Sequence, residues 1–358
     1  MNRIIFKNVI RQSIRHINTG KTFKVTICGA SGSVNESLIM LVKTNPLISE
    51  LCICDQTNPY GIISDLVAIP SNVNVSAHKK LSRAIKDADL VVISTGVQKR
   101  RRMSYRDLFI ANASHVREIS EIVGRFNPGA LVAILTNPIN SLVPLVNNIL
   151  KKYSGTNPMR IMGITTLDTL RANTIIGKLE GIDPRNIEVP VVGGHSPETT
   201  VPLFSQIKHQ VPISEEQIKW FTNLVKYADS NIIDAKRGES PATLSRAFGA
   251  ARFIDSLLRA MSGEPNIIEP AFIRTNVLNT KYSSQPILLG PGGVMKHIDI
   301  GNVSLFELQM LEKATRHLWE DIKIGEDFLD IKLYKPSPCC VYHGDIKTRS
   351  TIKNCSEL

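Results

Sequence analysis

From Phe23 onward the sequence predicts an α/β protein: a doubly wound parallel sheet followed by a second α/β (α+β) domain. Short apolar runs alternate with longer stretches of helical periodicity, a pattern that calls for parallel strands joined by crossover helices. A glycine-rich turn, Gly29-Ala30-Ser31-Gly32-Ser33-Val34-Asn35, closes the first apolar run and opens a helical pattern. The chain has 358 residues, enough for two domains. With 42% hydrophobic and 21% charged residues it has the composition of an ordinary globular protein.

Strands are expected at Lys24–Cys28, Leu51–Cys54, Leu90–Ser94 and Ala130–Leu135, with helices at Ser33–Lys43, Tyr105–Arg125 and Ile139–Lys152. In such a sheet ligands bind at the carboxyl ends of the strands. The second half is expected to carry a helix at Leu167–Leu179, a strand at Ile187–Val192 and helices at Ser214–Lys236, Ala242–Met261 and Ser304–Gly325. There are no repeats and no low-complexity linker. No stretch approaches the ~20 apolar residues of a membrane span, so membrane insertion is not expected.

Residues 1–22 differ in kind from the rest. They carry Arg3, Lys7, Arg11, Arg15 and Lys21, no acidic residue precedes Glu36, and Ile4, Ile5, Val9, Ile10 and Ile14 recur at helical spacing. A basic, acid-free amphipathic N-terminus has the composition of a mitochondrial presequence and implies a matrix location. This segment supplies five charges of the formal net +11, about half of the basicity. With aromatic residues at 6% and no nucleic-acid motif, the remainder gives no reason to expect a nucleic-acid partner. Six cysteines show neither the density of a secreted scaffold nor a CxxC pair for zinc, so no metal is expected. Cys28, Cys52 and Cys54 fall in apolar strands and read as reduced core thiols. After about residue 332 the periodicity is lost, and 333–358 reads as a disordered extension.

Four groups of residues carry chemistry. The glycine-rich turn lets backbone approach a pyrophosphate at a helix N-terminus. Twenty residues beyond Asn35, Asp55 ends the next strand, where a carboxylate accepts hydrogen bonds from a ribose and repels a 2′-phosphate, which favours NAD over NADP. Asn137-Pro138-Ile139-Asn140-Ser141 follows the fourth strand. Asn137 is placed there to bind a nicotinamide carboxamide or a substrate oxygen, and Asn140 or Ser141 to cap the helix that follows. In Thr166-Leu167-Asp168-Thr169-Leu170-Arg171 a carboxylate and a guanidinium stand one helical turn apart, and Gly193-Gly194-His195 adds an imidazole at the end of a Val-rich strand. Together these are the groups that bind an organic acid and move a proton.

These motifs, in this order over residues 23–330, resemble the mitochondrial-type malate dehydrogenases of the lactate/malate dehydrogenase family, as does Ala242-Thr-Leu-Ser245. The resemblance implies a Rossmann-type NAD-binding domain over 23–166 and a substrate domain over 167–332. It also implies a homodimer, and reversible oxidation of malate, a small dicarboxylic 2-hydroxy acid, to its 2-oxo acid. Under it His195 is the general base, Asp168 fixes the imidazole tautomer, and Arg171 clamps the C1 carboxylate with its planar fork. NAD is expected on Gly29 to Asn35, Asp55, Asn112, Leu135, Thr136, Asn137 and Arg246.

The family binds the second carboxylate with two arginines six residues apart on a mobile loop, which here reads Gly96-Val-Gln-Lys99-Arg100-Arg-Arg-Met-Ser-Tyr105-Arg106. Without gaps the arginine positions fall on Lys99 and Tyr105. A one-residue slip brings Arg100 and Arg106 into that spacing instead. Asn35 replaces a family glycine, Pro197-Glu198 follows His195 where small or neutral residues are usual, and Arg246 replaces a methionine. Three readings follow: an active malate dehydrogenase, a dehydrogenase of shifted specificity, and a pseudoenzyme.

Overall fold

A computed structural model describes residues 20–57, 59–153, 155–207 and 213–329. Most of the expected presequence, and the expected C-terminal extension from 333 with Cys339, Cys340 and Cys355, lie outside the described residues.

The first half is wound as β1 (Phe23–Cys28), α1 (Ser33–Lys43), β2 (Ile48–Cys54), α2 (Pro59–Leu66), β3 (Asn74–His78), α3 (Leu81–Ile85), β4 (Leu90–Ile93), α4 (Tyr105–Phe126), β5 (Leu131–Ile134), α5 (Ile139–Leu150) and β6 (Ile161–Ile164). The second half contributes α6 (Thr166–Glu180), β7 (Val191–Gly193), β8 (Thr200–Pro202), α7 (Glu215–Lys226), α8 (Ala228–Ala235), α9 (Leu244–Met261), β9 (Ile268–Arg274), β10 (Tyr282–Gly290), β11 (Gly293–His297) and α10 (Leu305–Asp327).

The sheet order is β3-β2-β1-β4-β5-β6-β9-β10-β7-β8, with β11 on β10. The first six strands are parallel, and the order in which they are laid down reverses between β1 and β4, the switch point at which such sheets bind ligands. From β6 onward the sheet is antiparallel, through Gly163↔Phe272 and Ile164↔Ala271. The halves therefore share one hydrogen-bonded sheet. The strands β4, β5 and β6 are buried along their whole length, as strands covered on both faces must be. Helices α1 and α9 cover one face with Leu38, Ile39, Phe253 and Leu257, and α4 and α5 cover the other with Val116, Ile119, Leu142 and Val146. Among the described residues no helix is long and apolar enough to cross a membrane.

Several expectations are corrected. The strand at Ile187–Val192 is reduced to Val191–Gly193, because Pro184–Asn186 forms a tight helical turn and Pro190 has no N–H for a ladder. The helix expected over Ser214–Lys236 is two, broken at Tyr227 (φ −100°, ψ 10°). The strands β3, β6, β8, β9, β10 and β11 lie outside the expected set. In β9 and β10 the two prolines, Pro270 and Pro286, face each other in register, so neither removes a ladder bond the other needs. Cys28, Cys52 and Cys54 are buried free thiols, as expected.

Candidate active site

The β1–α1 turn is built for close approach. Gly29 has φ +98°, and a Cβ there would lie 2.5 Å from Thr95 Cα on the neighbouring loop, so only glycine fits. Helix α1 has no side-chain cap on its N-terminus. Asn35, 4% exposed, lies beneath the turn and donates its amide to the carbonyls of Gly29 and Ser94, while Ser94 Oγ donates back to Asn35 Oδ1. It replaces the packing of a small residue with hydrogen bonds between β1 and the end of β4. Ala30 and Val34 are core residues.

A cleft of about 590 Å³ opens over this turn. Its lining includes Gly29, Ser31, Gly32, Ser33, Asn35 and Asp55, together with Lys99 and Arg100. Asp55 is saturated: Oδ2 accepts the Ser31 amide and hydroxyl at 2.8 Å, and Oδ1 accepts the Thr57 amide at 2.9 Å and hydroxyl at 2.6 Å. Burial raises its carboxyl, but the bonds from Thr57 and Ser31 outweigh it and leave the group below the usual range. A ribose diol must replace one of those hydroxyls.

Asn112, expected to face the cofactor, is fully buried. Its amide donates to the Val97 carbonyl at 3.0 Å and the Asn137 carbonyl at 2.8 Å, and its oxygen accepts from the Val97 amide at 2.8 Å. It fixes the loop that lines the cleft and presents no polar atom to it. Leu135 and Thr136 are likewise buried, Thr136 donating its hydroxyl to the Thr95 carbonyl at 2.8 Å. Asn137 differs, since its Oδ1 is buried without a partner at the carboxyl end of β5. An unmatched acceptor there costs about 1–3 kcal/mol, which a ligand amide or hydroxyl would relieve. The uncapped helix, the glycine turn and this acceptor fit an NAD molecule.

His195 and Asp168 meet in the interior. His195 Nδ1 lies 2.5 Å from Asp168 Oδ2, with both side chains buried. Gly193 makes the approach possible: at φ +92° a Cβ would lie 2.2 Å from the Thr199 carbonyl oxygen. Asn140 does not cap α5, whose N-terminal cap is Pro138 without a side-chain bond. Its oxygen instead accepts the His195 amide at 2.9 Å, and its nitrogen donates to Thr199 Oγ1 at 3.0 Å and Asp321 Oδ2 at 2.9 Å. The role of Asn140 was missed because an Asn after proline reads as a cap.

Arg171 stands on the same face of α6 as Asp168, its Nη1 3.5 Å from Asp168 Oδ1. Its Nη2 donates to Asp229 in the first turn of α8, and Arg246 Nη2 lies 3.8 Å from Asp229 Oδ2. Burial would raise the Asp229 carboxyl, but Arg171 and Arg246 outweigh it and hold it at about 2. Asp229 carried no signal in the sequence, because the break at Tyr227 that re-aims it involves neither glycine nor proline. Of the loop cations, Lys99 Nζ sits 5.2 Å over the Tyr105 ring, so these two positions converge. Burial, reinforced by Asp229 and Glu198 against Arg246, holds the Tyr105 hydroxyl far above its ordinary value, so it is a neutral donor. Arg106 is exposed on the outer side of α4.

A doubly wound sheet with a glycine turn at its switch point, joined to a buried His-Asp pair beside an arginine, defines a dinucleotide-dependent oxidoreductase. The chain belongs to the lactate/malate dehydrogenase family. Residues 23–163 match the model of its NAD binding domain, and 165–329 that of its alpha/beta C-terminal domain. It is 38% identical over 309 residues to "Malate dehydrogenase, mitochondrial" of Rattus norvegicus, covering 86% of this chain and 91% of that one. It is 38% identical over 321 residues to the protein of the same name from Caenorhabditis elegans, covering 88% and 93%. In fold it is similar to the malate dehydrogenase of Cryptosporidium parvum (TM-score 0.75, 20% identity, 86% of this chain and all of that one). A lactate dehydrogenase from the same organism, solved with lactic acid and the dinucleotide, matches equally well (TM-score 0.75, 20% identity, 86% and 99%).

Proposed function

We propose that this protein is an NAD-dependent malate dehydrogenase of the mitochondrial matrix, acting as a homodimer on (S)-malate and oxaloacetate. The observation that carries the reading is the buried His195–Asp168 pair with Arg171 on the adjoining turn. The mitochondrial relatives at 38% identity and the basic leader support the substrate and the location.

In this reading NAD, held by Gly29 to Asn35, Asp55 and Asn137, supplies the hydride acceptor. Nδ1 of His195 is engaged by Asp168, which leaves Nε2 to take the proton from the substrate hydroxyl. Asp168 stabilises the imidazolium that results, and Asn140 prevents the backbone of His195 from shifting as the proton moves. Arg171 binds the C1 carboxylate. Lys99 and the Tyr105 hydroxyl serve the far carboxylate as a point charge and a neutral donor, without the bidentate grip of a guanidinium. Arg100, on the cleft wall, serves the cofactor's phosphates.

Steady-state NADH formation with malate, beside an Arg171→Ala control, tests the reading. Activity that the control abolishes supports it. A preference for a monocarboxylic 2-hydroxy acid, which the loss of a paired guanidinium at Lys99 and Tyr105 favours as the second reading, would replace malate as the substrate.

A further inference from the structure

Arg171 is already occupied. Its two terminal nitrogens, the fork through which a guanidinium grips a carboxylate, face Asp168 and Asp229. Asp168 is committed to His195, but Asp229 has no such duty. It arrives from a different element, α8, and one oxygen rests on Arg171 while the other faces Arg246 at 3.8 Å. Both arginines and Asp229 are largely withdrawn from water, with side-chain exposures of 13%, 10% and 22%. At that depth an exchange of ionic partners is strongly felt.

We propose that Asp229 is a specificity-determining residue, an internal carboxylate that competes with the substrate's own carboxylate for Arg171. The inference rests on the dehydrogenase reading above. Arg171 and Arg246 are already matched by Asp168 and Asp229, so this corner of the site has no unpaired guanidinium to offer a dianion. A substrate carboxylate that takes Arg171 must send Asp229 elsewhere, and Arg246 is placed to receive it. Arg246 is thus a positioning residue: it keeps the displaced Asp229 from being left as an unpaired buried charge, which would be the costliest outcome. The arrangement weakens the hold on every 2-oxo or 2-hydroxy acid, and weakens it most for acids with two carboxylates.

The test uses the full chain with NADH bound and reads the dissociation constant of tartronate, a dicarboxylate, against glycolate, a monocarboxylate. The oxaloacetate KM and kcat and thermal unfolding are read alongside. Asp229→Asn is expected to tighten tartronate about tenfold, and glycolate by less, because one ionic competitor is removed. The oxaloacetate KM falls in parallel while kcat moves less than about threefold. Arg246→Met, which strands Asp229 on Arg171, is expected to weaken tartronate. These opposite signs are not produced by a residue that merely braces the fold. Tartronate binding unchanged or weakened in Asp229→Asn, with NADH affinity preserved and the variant still folded at the assay temperature, overturns the proposal. If Asp229→Ala does not fold, Asp229→Asn keeps the shape of the side chain and decides the matter. Absence of turnover with any 2-oxo acid would count against the dehydrogenase reading alone, because the tartronate titration needs no turnover.

Discussion

Replacing Asp168 by Asn removes a charge without changing the shape of the site. In the folded protein Asp168 Oδ2 accepts from His195 Nδ1 at 2.5 Å, and Oδ1 faces Arg171 Nη1 at 3.5 Å. An asparagine has one acceptor and one donor for these two positions. If its oxygen faces His195, its NH2 is set against the guanidinium. If it is flipped, the NH2 meets Nδ1 and forces the wrong tautomer. A hydrogen bond to a charged group contributes about 1.5–3 kcal/mol, and the imidazolium that needs it exists only once the proton has moved. At about 1.4 kcal/mol per factor of ten, kcat/KM should fall roughly ten- to two-hundredfold, mostly in kcat. The assay is steady-state reduction of the 2-oxo acid that turns over fastest, with NADH affinity measured by fluorescence as a control. A fall of less than about threefold with unchanged NADH binding would refute the assignment of Asp168 to the proton-transfer pair.

Three further outcomes are expected. Gly29→Ala forces a side chain into a positive-φ position against Thr95, at 2.5 Å from its Cα, and should cost about 1–3 kcal/mol of stability and weaken NADH, read by thermal unfolding and titration. Asp55→Ser removes the anion that repels a 2′-phosphate, so the ratio of NADH to NADPH affinity should drop about tenfold or more, and an unchanged ratio would show that Asp55 serves only the Ser31–Thr57 turn. Asp229, held at about 2, contributes stability that is present above its unfolded value near 4 and lost as pH falls through 2; the stability difference between the wild-type chain and Asp229→Asn should shift by about 2 kcal/mol between pH 4 and pH 2, read by denaturant unfolding.

Most of the parallel half of the fold was legible in the sequence, because β1, β2, β4 and β5 are short apolar runs bounded by turns and α1, α4 and α5 have clear periodicity, while the half-exposed β3 and the four-residue β6 escaped it. The antiparallel part was not. In β9 and β10 the alternation is interrupted by Pro270 and Pro286, which in isolation argue against a strand and only make sense once they are paired. The site divides in the same way. His195, Asp168 and Arg171 could be named because a helical turn and a glycine pair advertise them. Asn112 and Asn140 are polar residues whose hydrogen bonds run to chain 15 to 181 positions away, and such partners leave no local mark. Asp229 was hidden by a helix break without a helix-breaking residue. The loop register, open between Lys99 with Tyr105 and Arg100 with Arg106, depends on which side chains turn inward. In the fold Lys99 lies over the Tyr105 ring while Arg106 faces solvent.

The pairing of β6 with β9 makes the two halves a single stiff plate. A jaw-like opening between them would have to break the ladder at Gly163 and Ile164, in a strand buried along its whole length. Traffic into the site is therefore left to the strand-free segment from Gly96 to Ser104, anchored at one end by Asn112 and at the other by the Ser104–Asp107 cap of α4. With both ends pinned, the pace of entry and exit becomes a property of nine residues. Four of them carry positive charge, so that pace should respond to the ionic strength of the medium far more than to the size of the acid passing through.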